Sequence, residues 1–249
     1  MTDGSAPVPA PETRLLLVHR ADARDVAWPP LTRAVPVGEV LKLELAPGHV
    51  PRVHAPGVQS RLLDRHFYVY RHDAPERRSA CERALFDAIA DQYDNEIDEE
   101  TNRRTIRRLL GTVAAHGGTR RPLRVLDFGC GTGLAAAVAD PDVFHLLGTD
   151  ASDRMLHRAA RRGMSTVSLT DLPRLGAGWA DGAIASFVLH LAVPAAGIAT
   201  SATALRAGGV LAANFHKGRG RDSAAAALAG LGLVPVGRGG GNVAAWIRP

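Results

Sequence analysis

Cysteine is nearly absent from this 249-residue chain, which has two, Cys81 and Cys130. Two thiols exclude a disulfide-stapled scaffold and cannot form a metal cage by themselves. Both are expected to be free thiols in a reducing compartment, and no metal site is expected. Lysine is equally scarce: Lys42 and Lys217 stand alone among 30 basic residues, so the formal charge of +5 is carried by arginine. Those arginines are scattered among 25 acids in a chain rich in Ala, Gly and Pro. The pattern looks like coding bias and argues against a basic face built for phosphate. Long apolar runs are missing as well. No segment approaches a membrane span, and the opening MTDGSAPVPAPETR lacks the apolar stretch of a signal peptide. A cytoplasmic protein that does not use a membrane is expected. A hydrophobic share of 46% with 22% charged residues excludes the disordered and fibrous classes and suits a globular enzyme.

The length allows one sizeable core or a core with an appendage. Residues 1–12 are small, polar and Pro-rich and are expected to form a flexible leader. From 13 to 78, short apolar segments are broken by proline and glycine. TRLLLVHR, EVLKLEL and HFYVYR read as strands, with Leu41, Leu43 and Leu45 alternating against Lys42 and Glu44. This is expected to be a small β-containing appendage serving as lid, substrate contact or oligomer contact. A larger domain is expected over 79–249. Its first part has helical spacing at Leu85, Ile89, Ile106, Leu109, Leu110 and Val113, and Glu99 with Arg103 and Glu100 with Arg104 can pair one turn apart. Gly117 and Gly118 should end that stretch. Beyond Pro122, strand candidates (LRVLDF, HLLGTD, MSTVSL, DGAIASFVLH, GGVLAANF, LVPVGR, VAAWIRP) alternate with Ala-rich or Arg-rich segments. Such alternation predicts an α/β fold: a doubly wound, mainly parallel sheet with helices on both faces. The GRGGGN between the last two candidates predicts a hairpin and an antiparallel edge strand.

The stretch VLDFGCGTGLAAAVAD, residues 125–140, places Gly129, Gly131 and Gly133 directly after a buried strand that ends at Asp127. Glycines there permit backbone angles and a close ligand approach that a β-carbon would obstruct, and residues 135–138 are expected to continue as a helix. Gly131, Gly133 and Ala136 also satisfy G-x-G-x-x-A, with Asp150 near the spacing of a ribose-binding acid. On these residues alone an NAD-dependent oxidoreductase stays open.

Five segments in order narrow the reading. VLDFGCGTG resembles motif I of the class I S-adenosylmethionine-dependent methyltransferases, and GTDASDRML resembles their second-strand motif. LTDLP resembles the stretch that holds adenine, DGAIASFVLHLAVP the fourth strand with its loop, and ALRAGGVLAANF the fifth strand. The resemblance runs from about Leu85 to Pro249 and implies a Rossmann-like fold with S-adenosylmethionine as cofactor. By that resemblance, Gly129, Gly131 and Gly133 would let the methionine and ribose portions lie against backbone, with Asp127 near the methionyl amino end and Cys130 a small loop residue. Asp150 would accept from the ribose hydroxyls, Ala151 and Met155 would pack beside adenine, and Asp171 with the Leu172 amide would address its amine and ring nitrogen. Ser186 would line the same pocket. LFDAIADQYDN resembles the family's leading helix, so Tyr93 would border the cofactor. Taken as bare residues, Asp171 also suits a cap before Pro173, and Tyr93 a half-buried helix tyrosine.

Methyl transfer is an in-line displacement that needs alignment and at most one or two titratable groups. His190 ends the fourth strand candidate and His216 follows the fifth, so these are the candidate catalytic residues; each could equally be a hydrogen-bonded structural histidine. Asn214 could orient an acceptor or turn the strand end. Tyr68 and Tyr70, with His66, are the aromatic material available in the appendage for substrate contact. The chain has no D/N-P-P-Y/F sequence, no Pro-Cys motif and too few lysines for a Lys-Asp-Lys-Glu constellation. A small-molecule acceptor methylated at O, N or activated C is therefore expected, in specialised metabolism, with nucleic acid disfavoured and a homodimer left open. The alternatives are an RNA methyltransferase, a non-methylating S-adenosylmethionine-binding enzyme and the NAD-dependent oxidoreductase.

Overall fold

The computed structural model of the chain describes residues 14–27, 31–46, 48–53, 55–63, 65–119, 121–237 and 242–249. The expected leader at 1–12 lies outside these residues. Two compact units are present, Met1–Leu85 and Phe86–Pro249.

In the first unit, short apolar segments build strands β1 (Arg14–His19), β2 (Val26–Ala27), β3 (Leu31–Val37), β4 (Val40–Leu45), β5 (Arg52–Val53), β6 (Val58–Leu63) and β7 (His66–Arg71). Five of them form one sheet in the order β3-β4-β1-β7-β6, and β2 pairs with β5. Within the larger sheet, β1 and β7 run parallel and the other neighbours antiparallel. Leu16, Val18, Leu43, Leu45, Phe67 and Val69 form its core. Helix α1 (Pro75–Ile89) begins with proline, whose fixed φ and missing N–H suit the first helical turn. Its last four residues belong to the second unit.

The second unit continues with α2 (Tyr93–Glu96) and α3 (Glu99–His116). Asp98 caps α3 by accepting the Thr101 amide at 3.0 Å, and Gly117 ends it. Arg103 bonds Glu99 at 2.6 Å, whereas Arg104 stands 4.0 Å from Glu100. Then follow β8 (Leu123–Phe128), a 3₁₀ turn at Leu134–Ala137, β9 (Phe144–Thr149), α4 (Asp153–Arg161), β10 (Ser165–Thr166) and a 3₁₀ turn at Leu172–Leu175. After them come β11 (Ala180–Ala185), α5 (Ala195–Ala204), β12 (Leu205–Asn214), α6 (Arg221–Gly230), β13 (Val234–Pro235) and β14 (Val243–Ile247). The sheet order is β10-β9-β8-β11-β12-β14-β13. The first five strands are parallel; β14 lies antiparallel to both β12 and the edge strand β13. Part of the expected GRGGGN hairpin, 238–241, lies outside the described residues.

Strand alternation sorts this sheet's side chains onto two faces. Val125, Ile184, Val210, Ala212 and Ala245 join the core beneath α3, where Ile106, Leu109, Leu110 and Val113 are buried. Leu126, Ala183, Ala185, Leu211, Ala213 and Trp246 join the opposite core with Ala202 of α5 and Leu228 of α6. Helix α3 approaches closely because Gly182 has no side chain: a Cβ there would lie 2.3 Å from Val113 Cγ1. One expectation fails here. The helix after the glycine loop is a single 3₁₀ turn, because Asp140, which accepts the Asp142 amide at 3.0 Å, and Pro141 already turn the chain toward β9. No helix among the described residues is long and apolar enough to cross a membrane.

Candidate active site

The sheet is wound outward in both directions from β8 and β11, so the crevice at the carboxyl ends of these two strands is the switch point where such sheets hold ligands. Asp127 and Phe128 end β8, and Ser186 to His190 follow β11.

The glycine loop leaves β8 with φ values of 73°, 54° and 80° at Gly129, Gly131 and Gly133, all in the left-handed region. The Gly129 and Cys130 amides both donate to the Thr149 carbonyl, at 2.8 and 3.0 Å. The three glycines differ in what they face. A Cβ on Gly129 would lie 2.4 Å from Val188 Cγ2, and one on Gly133 would lie 2.8 Å from Ala159 Cα. Both are required by packing. At Gly131 nothing lies within 4 Å, so this glycine alone opens onto free space.

Two acids stand beside that opening. The Gly131 amide donates to Asp150 Oδ2 at 2.9 Å and the Ser152 amide to Oδ1 at 2.9 Å, which fixes the carboxylate plane. Burial pushes the Asp150 carboxyl up from its ordinary value, while these amides pull the other way. Asp127 is buried and pushed up to about 7, first by burial and then by the charge of Asp150. Burial also pushes the Cys130 thiol well up, in keeping with an inert loop residue.

The wall after β11 is strained. Phe187 has φ 57°, costly for a bulky residue, and its amide donates to Asn214 Oδ1 at 2.7 Å. Buried Asn214 thus commits its side-chain oxygen to the backbone. The Ser186 hydroxyl is buried with no hydrogen-bond partner among the described residues. His190 is half-buried and His216 exposed, with ring centroids 6.5 Å apart, so the two candidate bases come together. Gly220 keeps the following loop against them, since a Cβ there would lie 2.9 Å from His190 Cα.

The expected adenine side is more occupied than the motifs imply. Asp171 accepts from Ser168 Oγ at 2.7 Å and pairs with Arg174 at 2.6 Å. The Leu172 amide, expected to meet a ring nitrogen, instead donates to the Ser168 carbonyl at 2.9 Å, because these residues close a tight turn. Met155 is 1% exposed and shows no open face, whereas Ala151 is exposed. Tyr93 is half-buried and meets Phe86 edge to face, with centroids 6.0 Å apart.

The aromatic residues of the first unit do not fit the expected substrate contact equally. Tyr68 is fully buried beside Glu82 and Arg78, and burial raises its hydroxyl pKa, so it offers no surface to a substrate. That is a core position, and the expectation for Tyr68 is corrected. Tyr70 is half-buried and donates to Gln59 at 2.9 Å, while His66 accepts the Leu15 amide at 3.1 Å. Sequence reasoning missed Phe187, Val188 and Asp94. The last bonds Thr132 within the glycine loop, a contact that only the repeat of aspartates in DAIADQYD hinted at. Among the described residues no cluster of three metal-ligating side chains converges.

A family model described as a methyltransferase domain matches residues 94–225, just over half of the chain. No curated protein matches it in sequence. Magnesium protoporphyrin IX methyltransferase from Synechocystis PCC 6803, solved with bound SAH, is 19% identical, with 69% of this chain and 100% of that chain covered at a TM-score of 0.52. A TehB-like SAM-dependent methyltransferase from Corynebacterium glutamicum is also 19% identical, covering 61% and 98% of the two chains at a TM-score of 0.45. With a matching domain model over more than half of the chain and over most of the second unit, the chain belongs to the methyltransferase domain family.

Proposed function

We propose that the chain transfers the methyl group of S-adenosylmethionine to an O, N or activated C atom of a small molecule. The observation that carries this is the opening at Gly131, whose amide is held by half-buried Asp150, in the crevice where buried Asp127 ends β8 and where, after β11, the Ser186 hydroxyl has no partner among the described residues. These groups suit a ligand with an ammonium group, vicinal hydroxyls and further polar edges. Backbone amides orient the Asp150 carboxylate, whose remaining lone pairs could receive the ribose hydroxyls. Asp127 would hold the ammonium group, Tyr93 would close the pocket, and Asp171, Ala151 and Ser186 would complete it. When bound, the cofactor supplies a methyl group activated on a sulfonium.

The remaining work is alignment and proton removal. Strained Phe187, fixed by Asn214, sets the direction in which the β11 loop presents His190. A neutral His190 imidazole would take the acceptor's proton as the methyl-to-sulfur bond breaks and the acceptor bond forms, with His216 beside it as relay or orienting group. The missing nucleic-acid-modifying motifs and the scattered arginines support a small acceptor. Tyr70 remains the proposed substrate contact of the first unit.

Screening acceptor libraries for S-adenosylhomocysteine release tests the reading, with His190→Ala expected to lower the maximal rate by about 10²- to 10⁴-fold at little change in cofactor affinity. His190→Asn should not restore the rate, since an amide cannot take the proton. Full activity in both variants would move the role to His216 or to alignment alone, and calorimetry showing NAD bound in place of S-adenosylmethionine would end the proposal.

A further inference from the structure

Three aspartates and three arginines in the second unit meet in register. Asp87 on α1, Asp91 in the link and Asp94 on α2 recur after four and three residues, while Arg154, Arg158 and Arg162 recur every four along α4 and its cap. The arginine spacing puts that set on one face of α4, and the contacts below bring the three aspartates alongside it. At the first end, Asp87 accepts Ser152 Oγ at 2.5 Å and the Arg154 amide at 3.4 Å. In the middle, Arg154 pairs with Asp91, and Arg158 stands 3.7 Å from both Asp91 and Asp94. At the last end, Arg162 bonds Asp94 Oδ2 at 2.6 Å, Asp94 Oδ1 accepts Thr132 Oγ1 at 2.6 Å, and Arg162 also donates to Thr132 Oγ1 at 3.1 Å.

Both ends fasten to the proposed cofactor site itself. Ser152 is the residue whose amide orients Asp150, and Thr132 lies between Gly131 and Gly133. Tyr93 is the immediate neighbour of Asp94. We infer that this row of ion pairs is a clasp that holds the Tyr93 segment against the glycine loop and sets how long the cofactor stays bound, with Asp94 and Arg162 as positioning residues. The inference rests on the methyltransferase reading.

The middle of the row and its last end differ in strength. Asp91 and Arg154 have side chains 67% and 54% exposed, where an ion pair contributes little. Asp94 and Arg162, at 17% and 28%, are better shielded and share a buried hydroxyl partner. A cavity of about 220 Å³ lined by Thr132, Arg158, Arg161 and Arg162 opens at this end and gives dissolved ions access to the pairs. Salt should therefore loosen the clasp, since screening acts over about 8 Å at physiological ionic strength.

The test measures dissociation of S-adenosylhomocysteine from the full chain, across a salt series, by surface plasmon resonance. The wild-type off-rate should rise with salt. Arg162→Gln and Asp94→Asn should each raise the low-salt off-rate by about three- to tenfold and flatten the salt dependence, at unchanged circular dichroism. Arg162→Lys should recover part of the loss, because an ammonium keeps the charge but lacks the planar fork that reaches Asp94 and Thr132 together. If a charge variant does not fold, Thr132→Val removes the shared hydroxyl at constant shape and should speed release in the same way. Folded variants that release the ligand at the wild-type rate, or that keep the wild-type salt slope, overturn the clasp. A wild-type chain that binds no S-adenosylhomocysteine overturns the methyltransferase reading and the clasp with it, so the two failures are distinguishable.

Discussion

Asp127 and Asp150 interact electrostatically in one crevice, and their surroundings differ, so the tasks proposed for them differ. Asp150 is held by backbone amides, and Asp150→Ala should weaken cofactor binding by about 1.5 to 3 kcal/mol, the cost of removing acceptors from two hydroxyls. Calorimetry showing unchanged affinity would remove Asp150 from the site. Asp127 is pushed up to about 7 by burial and by Asp150, so below that pH the unliganded carboxyl carries a proton. An ammonium group favours the ionised form. Affinity for S-adenosylhomocysteine should thus be full above pH 7 and fall by up to about tenfold per unit below it. Asp127→Asn should bind more weakly at pH 8 and lose this dependence; a wild-type affinity flat from pH 5.5 to 8 contradicts the assignment. For folding stability the sign is opposite, because the native unliganded chain binds the extra proton between the ordinary carboxyl range and pH 7. Its stability falls as pH rises through that window. The acids themselves were legible in VLDFGCGTG and GTDASDRML, but their unequal electrostatics depend on burial and on each other.

At the scale of elements, buried Asp181 at the start of β11 joins segments far apart in the chain. It accepts the Arg124 amide at 2.9 Å from β8 and Arg206 Nε at 2.8 Å from β12, and Arg206 reaches on to the Gly117 carbonyl at 2.8 Å. Burial alone would raise the Asp181 carboxyl, but these hydrogen bonds and the two guanidinium charges outweigh it and hold the group below its ordinary value. Asp181→Asn should cost about 1 to 3 kcal/mol at pH 7 by denaturant titration, with calorimetric melting lowered accordingly. Because the depressed carboxyl stabilises the native state above its ordinary pKa and loses that effect as pH falls through the folded value, the difference between wild type and variant should shrink below about pH 4. A constant difference down to pH 2.5 would assign the loss to packing alone. The buried stripe of helix α3 and its stop at Gly117 could be read from the sequence, as could the parallel strands, whereas its Asp98 cap was not read. The single 3₁₀ turn after the glycine loop could not, since it depends on how soon β9 must pair with β8.

At the scale of the molecule, every residue proposed to hold the cofactor, from Tyr93 to Ser186, lies in the second unit. We propose that the first unit serves catalysis or substrate retention. Removing residues 1–74 should then leave S-adenosylhomocysteine affinity within about threefold while turnover falls, because the second unit carries its own cores on both sheet faces. A folded truncate with undiminished turnover would deny the first unit that role. Local stereochemistry made much of this protein legible from residues alone. Apolar periods of two and about 3.6 marked its strands and α3, and glycines with adjacent acids marked the loop at the switch point, because backbone angles and side-chain alternation act between near neighbours. Tertiary structure decided the rest: that Tyr68 is core, that Gly129 and Gly133 serve packing while Gly131 opens outward, that Asn214 restrains Phe187, and that Asp94 meets Arg162 from 68 residues away. Those outcomes depend on which surfaces meet once the sheet is assembled, and a close contact between distant residues leaves no period in the chain to reveal it.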